Sequence, residues 1–435
     1  MGLTPSIYNL RFSLGHRWFV FNSLWSSLCE LDDEAQQILT CTMTEEPDPE
    51  TTKLLQSAGF LVSEASDELG TYLELYDASK QNDGTLYLKL MLATGCNLRC
   101  KYCYQDSPSK PIEVISESAI ARLTRWVKNE LESGSVARIA VEMYGGEPLL
   151  GRARIPLILS SFEDICRTYN APIEWSIVTN GTLLTQELAE LFIRKHVNIQ
   201  LTVDGEEDQH NKRRPWKRSG LGTFHRVLRS IRLILKYGGA DLLQVRMNID
   251  QSNLSDVRNL ALRLKAMGVK QFHCGWIHFQ ERNTAYAADT IDERDLDGTV
   301  GAQLFRTLEP LGFASSPTNL ERRTTCMFHW YKGFVVTPSL ELFKCDELVG
   351  MSEHQVGLID ETGHLVLFLN EYMQQTARSV TAFEQCLSCR LLPMCGGGCP
   401  VKALNTRGDI NSSHCEVTLQ SLEERLVTQV SCTAT

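Results

Sequence analysis

Three cysteines near residue 100 have the chemistry and spacing to hold a metal ion or an iron–sulfur cluster. Cys96, Cys100 and Cys103 form a C-x3-C-x2-C loop, which supplies three thiolates and leaves one position of the bound group open. An open position is typical of a catalytic site, because structural zinc sites are normally closed by four ligands. The alternatives are a chance grouping of thiols and a zinc site that takes a distant fourth ligand.

Glycines and polar residues end the strands predicted after this loop. Gly145-Gly146-Glu147-Pro148 closes the next predicted strand. Two glycines allow a backbone to approach a ligand closely, and the carboxylate can accept hydrogen bonds from an ammonium group. Asn180 and Thr202 end the two strands that follow. Both are candidate cofactor-binding residues. The alternative for each is a hydrogen bond at the strand end with no ligand.

A second set of cysteines lies toward the C-terminus, in a region with little apolar material for a core of its own. Its members are Cys326, Cys345, Cys386, Cys389, Cys395, Cys399 and Cys415. Bound metal is therefore expected to organise this region. The five other cysteines are isolated in the sequence, and at least four of them are expected to be small buried side chains; they are Cys29, Cys41, Cys166, Cys274 and Cys432.

The segment Cys96–Cys103 (CNLRCKYC) resembles the signature of radical S-adenosylmethionine (SAM) enzymes. In that family the open iron of a [4Fe–4S] cluster chelates the amino and carboxylate groups of SAM. Reductive cleavage of SAM then gives a 5′-deoxyadenosyl radical that abstracts a hydrogen atom. The resemblance implies that Gly145, Gly146 and Glu147 hold the amino group of SAM.

A later pattern is similar to that of the peptide- and protein-modifying members of the family. It runs from Asp204-Gly205 through His210 and Arg214 to Gly222-Thr223-Phe224. This match implies that Thr202 bonds the SAM carboxylate or ribose, and that Arg214 pairs with the carboxylate. Tyr102 is expected near the adenine, and His210 is expected to be structural rather than catalytic.

The C-terminal cysteines closely resemble the SPASM domain, an extension that holds two auxiliary [4Fe–4S] clusters. The resemblance implies one auxiliary cluster on four cysteines and a second on three. The first set is Cys386, Cys389, Cys395 and Cys415, and the second is Cys326, Cys345 and Cys399. The expected cofactors are therefore three clusters, of which one binds SAM, together with SAM itself.

Two positions depart from the SPASM pattern. Leu340 stands where many members have a glycine, which leaves the geometry of that turn open. Lys332 stands where some relatives supply a fourth cysteine. The second auxiliary cluster is therefore expected to have an open iron, able to bind a substrate thiolate, or to take a ligand such as His329 or Cys274.

Asp346, directly after Cys345, has two interpretations. In sulfatase-maturing relatives an aspartate at the matching position is proposed to act as a base on the substrate, which makes Asp346 a candidate catalytic residue. The alternative is an ordinary surface or capping aspartate.

Strand-like and helix-like segments alternate between residues 84 and 314. This alternation predicts an α/β fold with a parallel sheet, curved into a partial, TIM-like (β/α)6 barrel whose site lies at the carboxyl ends of the strands. The predicted strands are 86–93, 139–144, 173–179, 197–203, 243–249 and 269–277. The predicted helices are 116–131, 155–169, 187–195, 224–236 and 254–267, with a sixth within 289–308.

Residues 1–83 predict a small α+β unit before the barrel, and residues 315–435 a cysteine-rich domain after it. The unit begins with a hairpin of strands 8–14 and 18–24, followed by helices at 32–43 and 49–58, a strand at 59–62 and a linker at 77–84. Its order and size are similar to the winged-helix-like element that binds the leader of a precursor peptide as an added strand. The alternative is a cap over the open edge of the barrel.

Composition limits the classes of protein that fit. The length of 435 residues suits two or three domains, and the net charge of −10 disfavours nucleic acid as a partner. No long apolar run predicts a membrane span and the N-terminus lacks a secretory signal, so we expect a cytoplasmic protein with no membrane partner. In a reducing compartment, clustered cysteines are more often metal ligands than disulfides.

The leading hypothesis is a radical SAM peptide maturase that oxidatively cross-links a leader-bound ribosomal precursor peptide through a thioether or carbon–carbon bond. Its partners would be that peptide and an electron donor such as flavodoxin or ferredoxin. One alternative is an anaerobic sulfatase-maturing enzyme that oxidises Cys or Ser to formylglycine. An alternative of another class is a zinc-stabilised binding protein.

Overall fold

The computed structural model describes residues 2–105, 111–277, 290, 300–313, 325–415 and 418–433, except for the side chains at 302, 421, 432 and 433. Within these residues, no helix is both long and apolar enough to cross a membrane.

The N-terminal unit contains two small antiparallel sheets and three helices. Its strands are β1 (Leu3–Pro5), β2 (Asn9–Leu14), β3 (Arg17–Asn22), β4 (Ser27–Leu31) and β5 (Leu61–Ser63), and its helices are α1 (Asp33–Thr40), α2 (Pro49–Ser57) and α3 (Glu68–Ser79). The predicted hairpin is β2–β3, and β4 extends it to three strands in the order β2-β3-β4. Strand β1 pairs with β5. Strand β4 and helix α3 were not predicted, and α3 takes up the first part of the expected linker.

Aspartates start all three of these helices. Asp32, Asp48 and Asp67 each accept a hydrogen bond from a backbone amide in the first turn. Such caps satisfy amides that have no partner within the helix. Helix α3 is the least amphipathic of the three in pattern, which is why its periodicity gave no signal in the sequence.

Six parallel strands form the central sheet, and each lies within two residues of its predicted position. They are β6 (Thr85–Ala93), β7 (Arg138–Gly145), β8 (Ile173–Thr179), β9 (Asn198–Thr202), β10 (Leu243–Ile249) and β11 (Gln271–Trp276). They pair in sequence order, so every crossover joins neighbouring strands. The expected α/β architecture is confirmed, and the arrangement is consistent with a partial barrel.

Helices cover the outer face of this sheet. They are α4 (Glu117–Glu132), α5 (Ile155–Thr168), α6 (Gln186–Arg194), α7 (Glu207–Arg213), α8 (Phe224–Lys236), α9 (Val257–Met267) and α10 (Gly301–Leu308). Helix α4 shows the cause: it buries Ile120, Leu123 and Val127 at helical spacing against the sheet. The short helix α7 was not predicted. Residues 291–299, where the sixth predicted helix was expected to begin, lie outside the described residues.

The C-terminal region continues the barrel sheet and ends in short helices. Its elements are strands β12 (Gly333–Val336), β13 (Glu341–Phe343), β14 (Gly357–Ile359) and β15 (Leu365–Leu367), and helices α11 (Leu369–Thr376), α12 (Glu384–Leu387), α13 (Leu392–Cys395), α14 (Pro400–Arg407) and α15 (Leu419–Thr433). Strand β12 pairs in parallel with β6, and β13 to β15 follow as an antiparallel extension. The described sheet therefore has ten strands. Two of the C-terminal cysteines, Cys345 and Cys399, pack with Val335 of β12 and Phe343 of β13.

The N-terminal unit and the C-terminal region share two hydrophobic clusters. Phe12, Phe19 and Phe21 of β2 and β3 pack with Leu422 and Leu426 of α15. Tyr8, Leu24, Tyr72 and Tyr76 pack with Val380, Phe383 and Cys386 in the second cluster. The unit before the barrel is thus held against the cysteine-rich region after it.

Candidate functional site

A cavity of about 430 Å³ lies at the carboxyl ends of the parallel strands. Its volume falls in the range of small-molecule sites, and its position is the usual one for a parallel α/β sheet. The predicted cysteines of the first loop, the predicted SAM contacts and the candidate catalytic aspartate all line it: Cys96, Cys100, Cys103, Tyr102, Gly145, Gly146, Glu147, Asn180, Thr202, Arg214 and Asp346. Residues scattered over 250 positions of sequence are therefore brought to one space.

The cysteine loop follows β6 and is fixed by backbone contacts. The amides of Arg99 and Lys101 donate to the carbonyls of Pro215 and Arg213, 3.0 Å each. The amide of Leu98 donates to Cys96 Sγ at 3.3 Å. The two backbone bonds anchor the loop to residues 213–215, and the Leu98 amide orients the Cys96 sulfur.

Burial raises the pKa of the loop thiols. For Cys100, burial raises the pKa to about 12 although the nearby Arg214 guanidinium opposes the rise. For Cys96, burial raises the pKa further, and the charges of Glu147 and Cys100 add to it. Thiols in this setting stay protonated until a cationic group displaces the protons, which is the chemistry of a metal or cluster ligand.

Among the residues that the structure describes, no three His, Cys, Asp or Glu side chains are arranged to hold a single metal ion. A [4Fe–4S] cluster takes each thiolate on a different iron, so its cysteines need not surround one point.

The two glycines after β7 are required by the backbone of the cysteine loop. A Cβ on Gly145, whose φ is +132°, would lie 2.3 Å from the carbonyl oxygen of Ala93, and one on Gly146 would lie 2.3 Å from that of Gly95. The amide of Gly146 donates to Ala93 and that of Glu147 to Gly95. The close approach in the structure is to Ala93 and Gly95, just before the cysteine loop, and the approach to a ligand stays a prediction.

Glu147 is buried and is satisfied within the protein. Its carboxylate accepts hydrogen bonds from Thr179 Oγ1 at 2.5 Å and from the amides of Asn180 and Leu149 at 2.8 and 2.9 Å. Burial raises the pKa of Glu147, and these donors oppose the rise. The carboxylate ties the ends of β7 and β8 together at the cavity wall.

Asn180 connects the end of β8 to the cysteine loop. Its Nδ2 lies 2.9 Å from Asn97 Oδ1 and 3.6 Å from Cys96 Sγ, while its Oδ1 accepts from the Thr182 amide at 2.9 Å. Strand-end hydrogen bonding, the ligand-free interpretation, is thus present. Contacts of Asn180 and Thr202 with SAM remain predictions.

Tyr102, Asp204 and Arg214 form a buried polar group below the cysteine loop. The Tyr102 hydroxyl donates to Asp204 and accepts from Arg214 Nη1, and Asn248 Nδ2 donates to it at 3.0 Å. Arg214 Nε is buried without a hydrogen-bond partner among the described residues. The sequence prediction missed Asn248, which is the last polar residue of β10 and lines the cavity.

His210 is structural, as expected. Its Nδ1 accepts from the Asp204 amide at 3.1 Å and its Nε2 lies 3.0 Å from Thr223 Oγ1. Burial lowers the pKa of His210 to about 3, so the ring is neutral. The ring does not line the cavity.

The sequence prediction found Asp346 but missed its charged and phenolic neighbours in the cavity wall. Lys89 Nζ lies 3.0 Å from Asp346 Oδ1 and 3.2 Å from Glu142 Oε1. Tyr104 donates to Asp346, and its hydroxyl lies 3.0 Å from that of Tyr144. The signal was available: Lys89 interrupts an apolar strand, and Glu142 and Tyr144 alternate with apolar residues on β7.

The seven C-terminal cysteines lie outside the cavity lining. Cys386 is close enough to Cys389 and Cys415 for their charges to raise its pKa, although burial is the larger cause. Cys345, whose pKa burial raises strongly, is similarly close to Cys399. Both pairs fall within the sets expected for the two auxiliary clusters.

The two proposed substitutes for a fourth cysteine lie in different places. His329 Nδ1 is 3.9 Å from Cys326 Sγ. Cys274 is packed in the barrel core on β11, at the far edge of the parallel sheet. Lys332 points elsewhere, because its Nζ pairs with Glu130 at 2.5 Å.

The sequence model of the Radical SAM superfamily matches residues 90–272, which include the cysteine loop and the cavity-lining strand ends. The protein contains a radical SAM domain. Curated relatives that match 71% to 87% of this chain are enzymes. The chain is therefore a radical SAM enzyme.

Two curated relatives of this radical SAM enzyme modify different targets according to their names. The radical SAM cyclopropyl synthase TigE of Paramaledivibacter caminithermalis is 19% identical over 87% of this chain and 85% of its own length. The cysteine-type anaerobic sulfatase-maturating enzyme of Clostridium perfringens is 24% identical over 71% of this chain and 86% of its own.

Two solved structures share the fold. Native anSMEcpe with bound AdoMet has a TM-score of 0.62 at 19% identity and covers 80% of this chain and 97% of its own. Streptococcus suis SuiB bound to precursor peptide SuiA has a TM-score of 0.53 at 14% identity and covers 96% of this chain and 99% of its own. The second likeness includes the N-terminal unit.

The residues around the cavity fit a cluster and SAM. Three half-buried thiols supply the donors for a [4Fe–4S] cluster with one open iron. Beside them, the unpaired Nε of Arg214 provides a buried donor for an anionic group such as the carboxylate of SAM.

Proposed function

We propose that this radical SAM enzyme is a peptide maturase that installs an oxidative cross-link, a thioether or a carbon–carbon bond, in a leader-bound precursor peptide. The observation that supports it most directly is the convergence on one cavity of the cysteine loop, the expected SAM contacts and Asp346. The fold likeness to SuiB, which covers 96% of the chain, supports the proposal as well.

When bound, SAM and the reduced cluster supply a 5′-deoxyadenosyl radical that takes a hydrogen atom from a peptide carbon. Cys96, Cys100 and Cys103 would hold that cluster. Arg214 would pair with the SAM carboxylate and Tyr102 would lie near the adenine, with Asp204 and Asn248 fixing the Tyr102 hydroxyl.

Formation of a cross-link removes a second hydrogen from the peptide, as a proton and an electron. The Lys89, Asp346 and Tyr104 group lies at the wall of the cavity, and Asp346 directly follows Cys345 in the sequence, so the Asp346 carboxylate is placed to receive the proton. We propose that two auxiliary clusters would supply an acceptor for the electron. Cys326, Cys345 and Cys399 would hold one of them, and Cys386, Cys389, Cys395 and Cys415 would hold the other. An electron donor such as flavodoxin or ferredoxin would be the partner protein.

His329 is the better placed of the two candidate ligands for the three-cysteine cluster, because it is buried 3.9 Å from Cys326 whereas Cys274 is in the barrel core. An open iron that binds a substrate thiolate is the alternative.

The leader is proposed to dock as an added strand on the N-terminal unit. Strand β4 has a pairing partner on one side only, whereas β2 is covered by α15. An unpaired strand edge offers main-chain donors and acceptors to an extended peptide. Trp25, 49% exposed and directly before β4, offers an apolar contact beside that edge.

The test of the proposal is the iron, sulfide and zinc content of anaerobically reconstituted protein. Wild type should bind about 12 irons, and a Cys96→Ala/Cys100→Ala/Cys103→Ala variant about 8, with SAM cleavage by dithionite lost only in the variant. About 4 irons in wild type, or mostly zinc, would contradict the auxiliary clusters and favour structural cysteines. If wild type binds about 12 irons, the next substrate to test is a precursor peptide encoded beside the gene. Mass spectrometry of that peptide would detect the cross-link.

A second candidate function, maturation of a sulfatase by oxidation of Cys or Ser to formylglycine, is favoured by one observation. Asp346 lies in the cavity as a partly accessible carboxylate rather than on the outer surface. Incubation with a synthetic sulfatase-motif peptide separates the two functions. The mass change of formylglycine would support the second, and an unchanged peptide would support the maturase.

A further inference from the structure

Two tyrosines of the N-terminal unit are buried with their hydroxyls unsatisfied. Tyr8 and Tyr72 are each 1% exposed, and neither hydroxyl has a hydrogen-bond partner among the described residues. Buried phenol hydroxyls usually find a partner, so two unpaired ones point to an acceptor supplied by a bound group.

Both hydroxyl-bearing rings face the cysteines of one proposed auxiliary cluster. A Cβ placed on Gly396, the neighbour of Cys395, would lie 3.7 Å from the Tyr72 hydroxyl. Tyr8 and Tyr72 belong to the same apolar cluster as Cys386 and Cys389.

The pKa values of the two phenols are affected by the same cysteines. Burial raises the pKa of Tyr8 to about 12, and the charges of Glu68, Asp67 and Cys389 add to the rise. Burial is also the main cause of the raised pKa of Tyr72, with contributions from Cys395 and Cys386. Both hydroxyls therefore remain protonated donors at neutral pH.

We propose that Tyr8 and Tyr72 donate O–H···S hydrogen bonds to the cluster held by Cys386, Cys389, Cys395 and Cys415. The inference rests on the proposed function, which supplies that cluster. Hydrogen bonds to cluster sulfurs stabilise the more negative reduced state and raise the reduction potential. The two tyrosines are thus positioning residues that set the potential of this cluster.

Both donors come from the unit that is proposed to hold the leader, because Tyr8 directly precedes β2 and Tyr72 lies on α3.

The experiment uses full-length, reconstituted protein with Tyr8→Phe, Tyr72→Phe and both changes together. Each cluster is followed by electron paramagnetic resonance during a redox titration. We expect about 12 irons in every variant, a shift of one cluster to a more negative potential in each single variant, and a larger shift in the double variant. The other two clusters should keep their potentials.

Tyr372→Phe is the matched control. Tyr372 lies in the C-terminal region, and its hydroxyl already has a partner, because it donates to the carbonyl of Tyr331 at 2.9 Å. Its loss should leave all three potentials unchanged. Replacement of Tyr72 by 3-fluorotyrosine, a stronger donor of nearly the same shape, should move the same potential in the opposite direction.

Three unchanged potentials in the double variant, at full iron content, would overturn this inference and leave the proposed function standing. Wild-type protein with only about 4 irons would instead remove the proposed function and the inference with it. Should the phenylalanine variants lose iron, the 3-fluorotyrosine protein decides: an upward shift supports the hydrogen bond, and no shift excludes it.

Discussion

Asp346 is a mostly buried carboxylate at the cavity wall, and two neighbours fix its charge. Burial opposes ionisation, but the Lys89 ammonium and the Tyr104 hydroxyl outweigh it and hold the pKa of Asp346 below its ordinary value of 3.8. The group is therefore ionised at neutral pH and able to accept a proton. Its contribution to stability is present above its unfolded pKa and is lost only as pH falls through the lower folded pKa.

Asp346→Asn should slow product formation by about 10²- to 10⁴-fold if Asp346 takes the substrate proton, while formation of 5′-deoxyadenosine continues. The measurement is the ratio of modified peptide to 5′-deoxyadenosine by mass spectrometry. In wild type this ratio should show no acid limb above about pH 4, because the pKa is lowered rather than raised.

Glu142→Gln is the control, since it removes the other carboxylate that pairs with Lys89. An equal loss in both variants would mean that charge balance around Lys89 matters and that Asp346 is not the base.

Leu340 adopts a backbone conformation that favours glycine, with φ of +67° and a fully buried side chain. The turn typical of the family is therefore retained at this position, at the expense of backbone strain. Two effects oppose each other on substitution: a buried leucine is lost, and left-handed strain of about 1–2 kcal/mol is relieved only by glycine.

Leu340→Ala should consequently lower the free energy of unfolding by about 2–5 kcal/mol, and Leu340→Gly by about 1–2 kcal/mol less than that. Urea unfolding of the anaerobic protein measures the two values. A glycine variant less stable than the alanine variant would contradict the strain.

At the scale of elements, the end of β7 is locked to the cysteine loop after β6. The two backbones approach so closely that Gly146 has no room for a side chain, and its amide and that of Glu147 hold the loop. The position of the three thiols thus depends on a neighbouring strand and not on the loop alone.

Gly146→Ala should displace the cysteine loop and cost the protein about 4 of its irons per chain, with a matching loss of visible absorbance. Gly134→Ala is the control, because that glycine has a φ of +71° but open space around its Cβ position. We expect it to cost about 1–2 kcal/mol of stability and no iron. Full iron content in the Gly146 variant would show that the loop folds independently of β7.

At the scale of the whole molecule, the first and last segments of the chain are packed together. Phe21, fully buried on β3, packs with side chains of the C-terminal helix α15, while Trp18 on the same strand is 41% exposed. The N-terminal unit is thus joined to the cysteine-rich region by a shared core.

Phe21→Ala should destabilise the protein by about 3–5 kcal/mol, whereas Trp18→Ala should change its stability by less than about 0.5 kcal/mol. Hydrogen exchange measured by mass spectrometry should show faster exchange in both residues 9–31 and residues 384–430 of the Phe21 variant. Faster exchange confined to residues 9–31 would mean that the two segments unfold separately.

The sequence by itself determined the barrel strands and the residues of the cavity. Apolar runs at a period of two or 3.6 residues report which face of an element is buried, and β6 to β11 follow them closely. The carboxyl ends of parallel strands meet at one edge of the sheet, so polar residues at those ends mark a site. This signal identified Glu147, Asn180 and Thr202. These signals are local, and each is readable within about ten residues.

Only the tertiary structure decided which distant segments meet. The approach of β12 to β6, the packing of Phe21 on α15 and the placement of Tyr8 and Tyr72 beside Cys386 and Cys395 join residues far apart in sequence. No local periodicity encodes such contacts. The buried charges of Lys89 and Asp346 are of the same kind, because their ionisation is set by burial and by each other, and both arise only when the chain has folded.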